Sequence, residues 1–430
     1  MARKVKVKEA KATSKVKVKA TNEFTFEDLN KELKKIAPLG STMDVNEFSE
    51  ISEYIGSGNF LLNACMTGSL RKGYPNNRAV SLNGPSGVGK TFIMLNAARL
   101  AQEMGYYIAW YDSENAVDMD LMVKFGIDPK KVWYEPAPSV EAFRTSATNL
   151  AQKLIDAKRS GKGIPKVMAF LDSAGGLASE KEIRDAADGS NKADMTRAKM
   201  FKSIFRILMA KFAEVKIPFI FSNHTYQTQE MFSQMKAGGG TGPEYSASII
   251  LFMTKAKLNE KIKDDKGKKA NKQLGLIITV KPNKNRFAKP NSIKIHLRFD
   301  KGMNPYIGLE RYLSWADYGI GKGQIIPAAD YKSVKGDKKD KAIEYADEAT
   351  GEIFYYIPDE KGSNIAVRHL NATVTAKDFY TPEVFTDEII DSIDETVQRE
   401  FSYGINEDDF PADDLLEGSE DEEEYEEDQD

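Results

Sequence analysis

The chain has 430 residues, 41% hydrophobic and 29% charged, which is enough for one large core with appendages and, on length alone, for two or three domains. No apolar run reaches the roughly 18 to 20 residues of a membrane-spanning helix, and the N-terminus lacks the apolar stretch of a secretory signal, so a soluble protein is expected. The single cysteine, Cys65, excludes an intrachain disulfide and a cysteine-built metal site and fits a reducing, cytoplasmic setting.

The net charge of −4 conceals segregation along the chain. Residues 1–20 hold eight Lys or Arg against one acid, and residues 407–430 hold fifteen acids and no base, which leaves +4 for the body between them. A mildly basic body can bind polyanions, and an acidic tail can compete with them.

In chain order, residues 3–20 alternate Val or Ala with Lys. An amphipathic strand is one reading, but without aromatic residues or a partner strand they are expected to form a mobile basic arm, residues 1–21. Phe26, Leu29, Leu33 and Ile36 then fall at helical spacing before Pro38, which predicts a short N-terminal helix within residues 22–58 that could dock on the core or on a neighbouring subunit. From there strands and helices alternate, the pattern of a mostly parallel sheet covered on both faces. Strands are predicted at 78–83, 106–112, 167–171 and 217–222, and helices at 91–104, 140–158 and 195–214. In the last helix Phe201, Ile204, Phe205, Leu208 and Phe212 form one core stripe. Strands at 249–254, 276–280 and 293–299 are expected to extend the sheet. After residue 319 the pattern weakens into small elements with turns at 337–341 and 347–351, a small α+β part over 320–406. Residues 407–430 have no hydrophobic pattern to offset chain entropy and are expected to be disordered.

The sharpest motif is Gly84-Pro85-Ser86-Gly87-Val88-Gly89-Lys90-Thr91, a match to the phosphate-binding loop G-x-x-x-x-G-K-[ST] between a strand and a helix. There, backbone N–H groups and the helix dipole converge on phosphate oxygens. Glycines allow close approach of the main chain, Lys90 reaches the β- and γ-phosphates of ATP, and the Thr91 hydroxyl coordinates Mg²⁺. Asp172 ends an apolar strand, where its carboxylate either holds the hydrated Mg²⁺ or caps a helix. Glu114 follows another strand end, where a carboxylate can deprotonate the attacking water, although a solvated surface role also fits its spacing. His224 follows a third strand end, and local sequence leaves it between a structural and a sensing role.

Further segments that stand out are Tyr111-Asp-Ser-Glu114, Phe170-Leu-Asp172-Ser173, Asp194-Met-Thr-Arg-Ala-Lys199, Ser222-Asn-His224-Thr-Tyr226, Met231-Phe232, Gly238-Gly-Gly-Thr-Gly242-Pro243 and Lys284-Asn-Arg286-Phe-Ala-Lys-Pro290. Together with the phosphate loop they resemble the RecA family, most of all its phage UvsX-type recombinases, over roughly residues 59–319. The resemblance implies a RecA-like P-loop ATPase core. It makes Glu114 the catalytic carboxylate and His224, where bacterial members carry glutamine, the link between the γ-phosphate and a DNA-binding loop. It places Asp118 against the adenine amino group, with Leu121 where bacterial proteins stack an aromatic residue. Lys284 and Arg286 fall on the family's interface strand and loop.

By the same resemblance two DNA loops span about 179–193 and 225–243, both polar and without long apolar runs. Arg184, Lys192, Arg197, Lys199 and Arg206 could meet phosphates, Tyr226 and Phe232 could stack or wedge, and Gly239 and Gly240 lie in the second loop. The function implied is that of an ATP-dependent recombinase forming a homo-oligomeric filament on single-stranded DNA and pairing it with double-stranded DNA. A single-stranded-DNA-binding protein and a loading mediator are possible partners. A RecA-core helicase and a nucleic-acid-binding ATPase that exchanges no strands remain as alternatives.

Overall fold

The computed structural model describes residues 24–189, 196–227, 235–237, 246–263 and 269–404, and the chain divides after Glu50 into two units. The basic arm and the acidic tail lie outside the described residues. In the first unit, helix α1 (Phe26–Ile36) begins at a capping box: the Thr25 hydroxyl accepts from the Asp28 N–H, and the Asp28 carboxylate accepts from the Thr25 N–H, both at 3.2 Å. Such a cap stabilises a helix by about 1 kcal/mol. Phe26, Leu29, Leu33 and Ile36 are all exposed.

In the second unit, β1 (Tyr54–Ile55) and β2 (Tyr74–Pro75) form a small ribbon, with α2 (Phe60–Thr67) between them. The main sheet uses β3 (Ala79–Asn83), β4 (Tyr107–Asp112), β5 (Val132–Pro136), β6 (Val167–Asp172) and β7 (Phe219–Asn223). A hairpin of β8 (Thr225–Gln227) and β9 (Met235–Ala237) stands apart from it. Strands β10 (Ile249–Lys263), β11 (Lys269–Asn285), β12 (Ile293–Arg298) and β13 (Gly302–Met303) complete nine strands in the order β13-β12-β11-β10-β3-β7-β6-β4-β5. From β10 to β5 all neighbours are parallel, and β11 to β13 add an antiparallel wing.

The helices α3 (Lys90–Glu103), α4 (Met119–Lys124), α5 (Val140–Arg159), α6 (Glu180–Ala187) and α7 (Thr196–Glu214) connect these strands. Strand β4 shows how the pleat divides the core. Ile108 and Trp110 pack on the α3 side, while Ala109 and Tyr111 face Phe143 of α5 and Phe205 of α7, because successive side chains point to opposite faces. Burial on both faces explains why these strands read as continuous apolar runs rather than alternating ones.

Three departures from the sequence reading have physical reasons. Edge strand β5, Val-Trp-Tyr-Glu-Pro, is largely exposed and so carries no apolar run. The stretch 179–193, expected as a loop, contains α6. Its Ser179–Glu182 capping box builds an exposed helix that needs no apolar stripe to form. The predicted strands at 249–254 and 276–280 are the bases of a much longer hairpin, β10 and β11, that runs on past the sheet.

Beyond the core, β14 (Ile320–Pro327), β15 (Ile343–Ala346), β16 (Ile353–Pro358), β17 (Asn364–Val367) and β18 (Ala372–Thr375) form a five-stranded antiparallel sheet with β14 at its centre. Its small core has Trp315 stacked on Tyr356 at 3.7 Å. The chain then returns to the main body through α8 (Asp387–Phe401). Buried Asp394 accepts from the Leu70 N–H at 2.6 Å and the Ser69 hydroxyl at 2.8 Å, tying α8 to the end of α2. Among the described residues no helix is long and apolar enough to cross a membrane.

Candidate functional site

In a parallel sheet the residues that follow each strand collect along one edge. Here that edge gathers Gly84 after β3, Ser113 and Glu114 after β4, Ser173 after β6 and His224 after β7. The loop 84–89 turns into α3 through Gly87 and Gly89, whose φ angles of 68° and 99° suit glycine. A Cβ on Gly84 would come within 2.9 Å of the Met253 carbonyl of β10, so the strand roofs the loop closely.

Lys90 is buried and folds back on its own loop, donating to the Gly84 carbonyl at 2.8 Å and the Pro85 carbonyl at 3.1 Å. Burial lowers its ammonium below the ordinary lysine value, and the nearby Asp172 and Glu114 charges offset part of that cost. The Thr91 hydroxyl donates to Asp172 Oδ2 at 2.6 Å, and Ser222 donates to the other carboxylate oxygen. Burial raises the Asp172 carboxyl above its usual range. Repulsion from Glu114 and Asp112 adds to this, and the Ser222 and Thr91 hydrogen bonds oppose it.

Glu114 is presented by a turn that Asp112 holds. The Asp112 carboxylate accepts the Glu114 N–H at 2.9 Å, the Val117 N–H at 3.2 Å and the Tyr134 hydroxyl at 3.2 Å. Oε1 of Glu114 accepts from the Ser173 hydroxyl and lies 2.7 Å from His224 Nε2. Burial pushes this carboxyl up, but the Ser173 and His224 contacts and the Lys90 charge outweigh it, so Glu114 stands below its usual value. The next residue after His224 begins β8, so the carboxylate contact and the hairpin are adjacent in the chain.

A cleft of about 430 Å³ runs along this edge. Ser86, Gly87, Gly89, Lys90, Thr91, Glu114, Asp172 and His224 supply its polar wall, and Phe92, Leu121, Phe125, Leu297 and Phe299 supply most of an apolar one. The donor set suits a nucleotide with Mg²⁺. Thr91 and Asp172 offer two hard oxygen ligands, and a magnesium ion completes its shell with phosphate oxygens and water. Among the described residues no group of three or more His, Cys, Asp or Glu side chains could hold a metal unaided, and such an arrangement does not need one.

The other candidates are placed differently. Asp118 is exposed and caps α4, accepting the Leu121 N–H at 2.7 Å, while Leu121 itself lines the cleft. Arg184 is exposed on α6. Arg197 donates to the Gly175 carbonyl at 2.8 Å and lies over the Phe201 ring. Lys199 and Arg206 are exposed on α7. Tyr226 lies in β8 opposite Lys236, and Lys192, Phe232, Gly239 and Gly240 fall outside the described residues.

Lys284 and Arg286 are not at the cleft. Lys284 pairs with Ile250, which pairs with Ser81 in the middle of β3. Arg286 lies close enough to Arg78, just before β3, for its charge to reinforce burial in lowering that guanidinium. Sequence reasoning assigned no role to Asp112, Ser173, Ser222 or Lys255. The first three are polar residues at or just past buried strand ends, a signal that could have marked them. Lys255, whose Nζ donates to the Ser86 carbonyl at 2.7 Å, comes from a distant hairpin and has no local signature.

Comparison with known proteins identifies the family. The model of the RecA N-terminal domain matches residues 24–304. The recombination and repair protein of Enterobacteria phage T4 is 33% identical over 318 residues, covering 74% of this chain and 73% of that protein. RecA of Treponema denticola is 28% identical over 303 residues, 66% of this chain and 68% of its own. RecA of Bacteroides thetaiotaomicron is 26% identical over 272 residues, covering 62% and 74%. With a phosphate loop, strand-end carboxylates and a matched domain spanning most of its length, the chain belongs to the RecA family.

Proposed function

We propose that this recombinase binds ATP with Mg²⁺ between adjacent subunits, forms a filament on single-stranded DNA and uses the filament to pair and exchange homologous strands. The observation that carries the reading is the Glu114–His224 contact, which puts the carboxylate beside the phosphate loop in touch with the residue that leads into β8. Bound Mg²⁺, held by Thr91 and Asp172, would neutralise developing phosphate charge. Glu114 accepts a proton from the attacking water while the water oxygen bonds to the γ-phosphorus. The bond to the β,γ-bridging oxygen breaks, and ADP and phosphate leave. Lys90 holds the phosphates, and His224 relays the state of the cleft to the DNA-facing hairpin.

Lys284 and Arg286 fit a role across the subunit boundary. From Lys284 to Gly84 the register spans two strand spacings and three residues, about 14 Å at ~4.8 Å per strand and ~3.3 Å per residue. That exceeds the reach of a lysine side chain, so these cations serve a neighbour's nucleotide rather than their own. Arg184, Arg197, Lys199, Arg206 and Tyr226, with Lys192, Phe232, Gly239 and Gly240, are proposed to meet DNA. Asp118 caps α4 through Oδ1 alone, which leaves Oδ2 to accept from the adenine amino group, and the apolar wall around Phe125 and Phe299 offers the base a seat.

The test is a strand-exchange assay with ATP, Mg²⁺, single-stranded DNA and either a homologous or a heterologous duplex. Joint molecules should form with the homologous duplex alone. Unwinding of both duplexes would indicate a helicase, and binding with no exchange would indicate an accessory ATPase.

A further inference from the structure

Lys90 is not the only ammonium on the phosphate loop. The pairing of β10 with β3 ends at Phe252 opposite Asn83, so Met253 to Lys255 run on over the loop that leaves β3. Lys255, opposite Ile278 in the hairpin, donates from Nζ to the Ser86 carbonyl at 2.7 Å. A Cβ placed on Gly87 would lie 3.1 Å from the same nitrogen. Three successive carbonyls, of Gly84, Pro85 and Ser86, are thus taken by two lysines: the first two by Lys90 and the third by Lys255.

A trans peptide points its N–H opposite to its C=O. Fixing the Ser86 carbonyl on Lys255 therefore turns the Gly87 N–H away from Lys255, in a stretch of loop where Ser86 and Gly87 both line the cleft. Phosphate binding by such loops depends on backbone N–H groups already aimed at the anion. We propose that Lys255 is a positioning residue for the nucleotide, presetting the Ser86–Gly87 peptide and adding a second positive charge beside the phosphates. The inference rests on the reading of the cleft as the ATP site. Lys255 acts through the loop and is exposed, so its loss should not disturb the core.

The experiment uses the full chain as wild type, Lys255→Met and Lys255→Arg, with thermal melts to verify folding. Fluorescent ATP and ADP analogues are titrated, and the DNA-stimulated ATPase is resolved into kcat and KM. Lys255→Met should weaken both nucleotides by about tenfold or more, the scale of a lost charge-assisted hydrogen bond. It should raise KM in proportion and leave kcat within about twofold. Lys255→Arg, which keeps charge and donor, should recover most of the affinity. Wild-type affinity in the methionine variant would overturn the proposal, as would a fall in kcat at unchanged KM. A loss confined to ATP would also overturn it, since that would put the ammonium on the γ-phosphate instead of the loop. If the wild-type chain bound neither analogue, the reading of the cleft itself would fail.

Discussion

The two ends of the central sheet are built on different terms. At the carboxyl ends of β3, β4, β6 and β7, the polar groups of one chain hold one another: Thr91 and Ser222 on Asp172, Ser173 and His224 on Glu114, and Lys90 on its own loop. At the opposite end, where β11 leaves the sheet, Arg286 is exposed and close to the like charge of Arg78. One end is a site preorganised within a subunit. The other brings positive charges close together, and the proposed role across the subunit boundary would set a neighbour's nucleotide beside them.

Substitutions at the preorganised end should have the largest effects. Lys90→Ala removes the ammonium that the loop is wrapped around, and hydrolysis should fall by at least about a hundredfold, together with nucleotide-dependent DNA binding. Phosphate release at the wild-type rate would remove Lys90 from the site. Glu114→Gln keeps the phosphate cradle but loses the base, so hydrolysis should slow about a hundredfold while ATP and DNA stay bound. Dissociation of the DNA complexes as quickly as in the wild type, measured by fluorescence anisotropy, would speak against this role.

At the other end, Lys284→Ala combined with Arg286→Ala should leave nucleotide binding by single subunits intact but reduce DNA-stimulated hydrolysis about tenfold or more, as expected when a cation supplied in trans is lost. Mixing this variant with Glu114→Gln protein sharpens the contrast. Some junctions would then join an intact Glu114 to intact cations from the adjacent subunit, and part of the activity should return. No recovery at any ratio, with co-assembly demonstrated, would place the cations outside the reaction. The smallest effect is expected from the acidic segment. Tyr403 donates its hydroxyl to the Asn285 carbonyl at 3.0 Å, at the basic end of the sheet, and the sequence turns acidic from Glu407 onward. Truncation before Glu407 should raise DNA affinity a few-fold at low salt and less as salt screens the charges. Equal affinities at low ionic strength would show that the tail does not compete with DNA.

What was legible in the sequence was whatever a short window carries. The phosphate loop, the buried parallel strands and the α7 stripe are local patterns, and Asp172 and Glu114 can be placed because the first ends such a strand and the second lies two residues past the end of another. Contacts that depend on pairing between distant segments were not legible. The reach of β10 over the phosphate loop follows from its register with β3, and the placement of Lys284 away from its own cleft follows from β11 continuing that register. The C-terminal sheet was reduced to small elements because its strands are short and half exposed. Its stacked Trp315 and Tyr356 come together only once β14 and β16 have paired. Helix α6 lies in a polar stretch with no buried residue, so only its Ser179-to-Glu182 cap marks it in the sequence.

The position of β3 between β7 and β10 also governs how the molecule comes into being. Val80 has Ile220 on one side and Ile249 on the other, so the strand that carries the phosphate loop waits for most of the core to be synthesised before both its edges are filled. Sheets closed by such long-range pairings assemble slowly, since the entropy of loop closure is lost before the contacts are gained. A nascent chain released before β10 would carry the whole Gly84-to-Thr91 motif without the strand that covers it. ATP can therefore reward the finished fold, but it cannot guide its early steps.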